Sequence, residues 1–376
     1  MLLALVSQLS ASTVRRDPSP HGAYDTCIRR HSSRPLPVAL SGRREHTMDP
    51  KWHFAFCNVT YTEYAGVRYR DYYGSPAVML ETQLAAKEFA EQRFGVGRFI
   101  HPHVDMPACE FASFLGMPVV VPEEDEIPYV DTTRPLITSA AEADQVRLGN
   151  PQTDGLMGKR YEAWQYYTAQ GYGARFGGHS GAVVSVACEI SAGRVLGDLA
   201  ADPRGTLRLL DLMVEAQEVV ARLDASLCGE EYRGFTYTGD DFSGLLSPAM
   251  YREFAAPCYR RLYADQQTRF MHSELLRAEH LRIAREEVGI TEFHGAGCRN
   301  LTLQEMHDIM GHGFWTQLTP QEMLELSPAE IGDRISGFAQ SGAGYVQLYP
   351  GRGTPERNME VAIATAQREC PGGPAW

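Results

Sequence analysis

Short alternating or wholly apolar runs and longer stretches with helical spacing take turns along the second half of the chain. Gly234 to Asp241, Thr268 to Glu274, Gly289 to His294, Phe314 to Leu318 and Gly344 to Tyr349 read as strands. Between and after them, Pro248 to Ala264, Arg277 to Val288, Leu303 to Met310, Pro328 to Ser341 and Pro355 to Arg368 read as helices. A strand followed by a helix at spacings of roughly 20 to 35 residues demands parallel pairing, because parallel neighbours need a long crossover. No Gly-rich dinucleotide fingerprint follows any strand, so a closed barrel is expected rather than an open sheet. The predicted class is α/β, a (β/α)8 TIM barrel with an N-terminal helical extension.

The first half is less regular. Lys51 to Thr60 is β-like, and Tyr61 to Phe94 is helical with a break at Gly74-Ser75-Pro76. In Arg98 to Asp105, His101, His103 and Asp105 alternate, and a strand would put all three on one side. Pro102 and Pro107 confine that strand to an end or an irregular edge. Glu110 to Leu115 reads as a helical turn and Pro118 to Val121 as a short strand. The acidic run Glu123-Glu124-Asp125-Glu126 reads as a solvated loop. Leu156 to Gln170 is helical, Gly177 to Gly181 a Gly-rich turn, and a long amphipathic helix follows Asp202-Pro203 to about Leu227.

Composition narrows the class. At 376 residues, with 22% charged and 44% hydrophobic positions, the chain reads as one globular enzyme-sized domain. A net charge of −12 argues against nucleic acid or an anionic membrane as the main partner. No apolar run approaches the ~20 residues of a membrane span. Eight cysteines without a CxxC or a short regular spacing read as reduced thiols in the cytoplasm. Residues 1–47 differ, with seven arginines against Asp17, Asp25 and Glu45. They read as a disordered or non-native extension ahead of a start at Met48, or as a transit peptide, with the barrel over 48–376.

Strand C-terminal ends share one rim in such a barrel, and here they carry the chemistry. The pattern places there His101, His103 and Asp105; Asp240 and Asp241; His272 and Glu274; His294 with Cys298 beyond it; Thr319; and Gly351-Arg352-Gly353. His272 and Glu274 stand two apart and would face one ligand from a strand. Asp240 and Asp241 alternate, so one is expected to point inward, and Asp241 is chosen. Two chemistries follow. Zinc would accept His272, Glu274 and a third ligand such as Cys298 or His294, leaving an open position for a thiol or water. Without a metal, Asp105 or Asp241 would hold a cationic or pyrrole-like substrate while an acid protonates carbon. A metal hydrolase is suggested by His101-x-His103, but that reading expects a bridging lysine, and none lies beyond Lys159. A non-catalytic binding protein is a further alternative.

Several segments together resemble the uroporphyrinogen decarboxylase superfamily, which includes the decarboxylase and zinc methyltransferases that work with corrinoid proteins. They are His103-Val104-Asp105 to Leu115-Gly116-Met117, Gly181 to Gly193, Gly239-Asp240-Asp241 to Pro248, the His272 strand, and Pro350-Gly351-Arg352-Gly353-Thr354-Pro355 with Asn358. The resemblance runs from about residue 50 to the C-terminus. It implies a barrel, a small-molecule substrate and a homodimer. It makes Asp105 similar to the family's catalytic aspartate and puts Glu189 where the family has an active-site tyrosine. His272 matches the histidine of the methyltransferases' His-x-Cys, Glu274 replaces its cysteine, and Arg352 replaces the late cysteine. The Arg-rich substrate loop of the decarboxylases has no counterpart near residues 52–70. The expectation is therefore a zinc-assisted methyltransferase using methylcobalamin carried by a corrinoid protein, with metal-independent decarboxylation as the alternative. In it, His272, Glu274 and Cys298 hold Zn2+; Asp105, Glu189 and Asp241 are catalytic; and Arg352, His103 and His294 bind substrate.

Overall fold

The computed structural model describes residues 49–375, so the expected extension over 1–47 lies outside the described residues. Six strands pair in parallel: β1 (Lys51–Phe54), β4 (Tyr237–Gly239), β5 (Phe270–His272), β6 (Glu292–His294), β7 (Phe314–Leu318) and β8 (Tyr345–Leu348). Their order is β1-β8-β7-β6-β5-β4, each of β4 to β8 lying beside the next and β8 returning to β1. That is the order of a (β/α)8 barrel with two places left between β1 and β4. A separate antiparallel pair, β2 (Val119–Val120) with β3 (Tyr129–Val130), brackets the acidic run.

Irregular segments without a ladder lie between β1 and β4 in the chain. Residues 100–105 and 174–181 carry no strand hydrogen-bonding pattern. The guanidinium of Arg160 joins them, Nη1 donating to the carbonyls of both Val104 and Phe176 at 2.9 Å. Glu110 holds the rest of that guanidinium. Gly239 of β4 donates to the Ser180 carbonyl at 2.6 Å. The strand expected at Arg98 to Asp105 does not form: Gly97–Phe99 is a 3-10 turn and residues 100–105 carry no ladder, Pro102 offering no N–H to a neighbour. In the second segment Gly181 takes a left-handed backbone, and a Cβ there would meet Thr238 Cγ2 at 2.6 Å.

The crossover helices fall where the pattern put them, for example Leu303–Met310, Pro328–Gln340 and Glu356–Glu369. Thr302 and Ser327 start the first two with capping boxes. Outward strand residues are buried against these helices: Met271, Phe293, Val346, Leu348 and Phe54 are almost wholly inaccessible. Residues on the other strand face are polar or aromatic. Phe270, Trp315 and Tyr345 pack in sequence near the N-terminal side, with centroids 5.5 and 4.0 Å apart. One step toward the strand ends stand His272, His294, Gln317, Gln347 and His53, on five successive hydrogen-bonded strands. Apolar packing therefore stabilises the outer layer, while the inner face leads up to the site.

Candidate active site at the strand ends

β5 and β6 place two imidazoles in register, since His272 pairs with His294 along the ladder. Nδ1 of His272 lies 3.2 Å from both Nδ1 and the carbonyl oxygen of His294. Burial pushes both imidazoles below their ordinary pKa, so the pair is neutral near pH 7. Asp241 follows β4 and accepts the backbone N–H of Glu274 at 2.7 Å. Glu274 is exposed, yet partial burial and then the Asp241 charge raise its carboxyl to about 7. It therefore titrates at neutral pH.

Asp240 points the other way. It is buried and accepts from Val184 N–H, Ser185 N–H, Ser185 Oγ and the Tyr259 hydroxyl, at 2.6 to 3.0 Å. Those amides open the helix Val183–Ile190, whose orphan N–H groups and positive end it satisfies. Even with four donors, burial raises Asp240 to about 6. The same helix carries Glu189, half-buried, whose carboxyl burial and then Asp240 raise to about 8. At pH 7 Glu189 therefore keeps its proton.

Asp105 lies in a second polar cluster. Its carboxylate is buried and accepts from the Tyr72 hydroxyl at 3.1 Å. Gln83 donates to Tyr72 and to the His103 carbonyl, and accepts from Tyr167 and the His103 amide. Burial first, and the Asp105 charge after it, hold the Tyr61, Tyr72, Tyr73 and Tyr167 phenols protonated. Burial raises Asp105 itself, against the pull of His103 and Arg160. The sequence reading missed Tyr72 and Gln83; five tyrosines between residues 61 and 73 were the available signal. The His103 ring stays exposed, turned to the His101 carbonyl at 3.0 Å.

Three expected roles change. His272, Glu274 and Cys298 do not gather as zinc ligands: among the described residues no group of three or more His, Cys, Asp or Glu could hold a metal ion. The β5 ladder stops at His272, so the alternation that would carry Glu274 to the same face ends before it. Cys298 donates its thiol to the Leu276 carbonyl at 3.3 Å, and burial raises its pKa, whereas zinc takes a thiolate. Arg352, expected to clamp an anion, pairs with Asp125 at 3.1 Å and lies over the Tyr69 ring. Asp125 also accepts the Tyr69 amide, so one member of the acidic run ties that loop down. His294, expected to meet substrate, is instead turned to His272.

Over residues 55–316 the sequence matches the family described as uroporphyrinogen decarboxylase (URO-D). The chain belongs to that family. Its members are enzymes, decarboxylases and methyltransferases among them. The barrel is also similar to a solved structure, a methyltransferase from Methanosarcina mazei, with a TM-score of 0.63 and 12% identity. That match covers 86% of this chain and 95% of the other. No curated protein matches the sequence. Among the described residues no helix is long and apolar enough to cross a membrane.

Proposed function

We propose that this member of the uroporphyrinogen decarboxylase family is a methyltransferase that activates its methyl donor by proton transfer at the strand ends. The observation that carries this reading is Glu274, an exposed carboxyl held to about 7 beside Asp241. An acid with a pKa near the working pH is suited to protonating a leaving group. The carbon–heteroatom bond of the donor breaks as the methyl carbon bonds to the acceptor. The heteroatom takes the bond's electron pair and the Glu274 proton, leaving Glu274 as a carboxylate. Asp241 keeps that proton available by disfavouring the ionised form. The acceptor in this reading is a corrinoid on a partner protein, which supplies a strongly nucleophilic centre when docked. The fold's similarity to a methyltransferase supports it. No step is routed through zinc, because the three expected ligands do not fit one ion here. Among the described residues Cys109, Cys188, Cys228, Cys258, Cys298 and Cys370 form no disulfide, in keeping with a cytoplasmic enzyme.

A second reading is decarboxylation, and Glu189 favours it. Protonated at pH 7, it presents an O–H donor where the family resemblance puts a tyrosine. With Asp105 holding a cationic substrate, that proton could go to the carbon from which carbon dioxide leaves.

The test offers the purified protein reduced cobalamin with N-, O- and S-methyl donors in turn and follows the cobalamin spectrum. Transfer that falls at least a hundredfold in Glu274→Gln supports methyl transfer with Glu274 as acid. Folded protein that transfers no methyl group but releases carbon dioxide from carboxylic substrates supports the second reading.

A further inference from the structure

The hydrogen positions in the His272–His294 pair follow from the geometry. Nδ1 of His272 sits 3.2 Å from the His294 carbonyl oxygen, which can only accept. A hydrogen on that nitrogen satisfies the contact; a lone pair there would face the oxygen's own lone pairs. With the hydrogen on His272 Nδ1, the second contact, 3.2 Å to His294 Nδ1, requires a lone pair on His294. A neutral imidazole carries one N–H, so that of His294 must be on Nε2. The lone pair of His272 is then on its own Nε2, which makes no hydrogen bond to protein among the described residues. The ladder fixes this arrangement, because β5 and β6 hold the two Cα atoms in register and the rings lie 4.9 Å apart. His294 Nε2 is buried, and Gln317 is the further polar side chain beside the ring. A ring kept for packing alone would be served as well by phenylalanine, without a buried donor to desolvate.

We propose that His294 is a positioning residue: it locks His272 in the Nδ1–H tautomer and so leaves the His272 Nε2 lone pair as a hydrogen-bond acceptor at the site. The role as acceptor rests on the proton-transfer reading above; the tautomer does not. Once the leaving group carries the Glu274 proton it is itself a donor, and the bare His272 Nε2 is the acceptor offered to that hydrogen.

The test is 15N-histidine NMR on the full chain, wild type beside His294→Phe and His294→Asn. In the wild type we expect the 15N shifts of His272 to show a protonated Nδ1 and a bare Nε2. His294→Phe removes the ring acceptor and should leave His272 as a mixture of tautomers, with kcat down at least tenfold. His294→Asn returns an acceptor near the Nδ1 position and should restore most of both. A bare Nδ1 on His272 in the wild type overturns the proposal. So does a His294→Phe protein whose tautomer and kcat match the wild type. If His294→Phe does not fold, the wild-type and His294→Asn spectra still decide the tautomer. A tautomer as expected, in a protein that transfers no methyl group, would sink the methyltransferase reading and leave the positioning role standing.

Discussion

Glu189→Gln gives a direct measure of how strongly the barrel holds a proton on a buried acid. The folded chain keeps the Glu189 proton to about 8, whereas an ordinary glutamate loses it near 4.5. Between those values the folded state binds a proton that the unfolded state has released, so stability falls as pH rises from 4.5 to about 8 and is flat beyond. At ~1.4 kcal/mol per pKa unit the full penalty is about 5 kcal/mol. Solvent reaches part of the carboxyl, which lowers this to on the order of 2–3 kcal/mol. Glutamine keeps the size and a donor and cannot ionise, so the variant escapes the penalty. Urea unfolding at pH 5 and pH 8.5 should show the two proteins close at the lower pH. At the higher pH the variant should lead by on the order of 2–3 kcal/mol, roughly 4 °C in Tm. Equal stability at both pH values would refute the argument, because Glu189 would then ionise as freely folded as unfolded.

Four further outcomes follow from the same contacts. Asp241→Asn keeps an acceptor for the Glu274 amide but removes the charge. Burial is the larger cause of the Glu274 shift, so 13C titration of that carboxyl should move only from about 7 toward about 6. Asp240→Ala strips four donors of a buried acceptor and should cost about 3–5 kcal/mol in urea unfolding, with Asp240→Asn milder. Arg352→Ala breaks a half-exposed pair with Asp125 and should change stability by less than about 1 kcal/mol. In that variant KM should stay unchanged, since the guanidinium is already answered. Metal analysis after zinc loading should find the same content in wild type and His272→Ala; about one zinc per chain, lost in the variant, would restore the zinc site.

The elements were legible because their signals are local. Pro248 and Pro328 stand at the starts of helices that the pattern placed there, and strands β5, β6 and β8 carry an apolar outer face at alternate positions. The break at Gly74-Ser75-Pro76 was equally plain: helix Tyr69–Gly74 stops there, and Pro76–Phe94 begins with Ser75 as its cap. The two missing ladders were less so. Pro102, Gly177 and Gly178 announced irregular backbone, but nothing local tells that one arginine, Arg160, 56 residues after Val104 and 16 before Phe176, would tie both segments together.

Side-chain roles at the rim depend on a finer detail, namely the residue at which each ladder stops. Extending β5 by two residues would keep Glu274 on the His272 face and make a zinc pair reasonable. The ladder instead ends at His272, and the Glu274 amide leaves the sheet to bond with Asp241. Likewise, alternation alone could separate Asp240 from Asp241 but could not say what the buried one was for. The answer lies in the first amides of helix Val183–Ile190, more than 50 residues earlier in the chain. That contact has a consequence for chemistry, because the charge that anchors the helix also helps keep the proton on Glu189. A carboxyl there can then offer an O–H at neutral pH, which is what a tyrosine offers, and the substitution that looked like a departure from the family leaves the hydrogen-bonding role open to the same use.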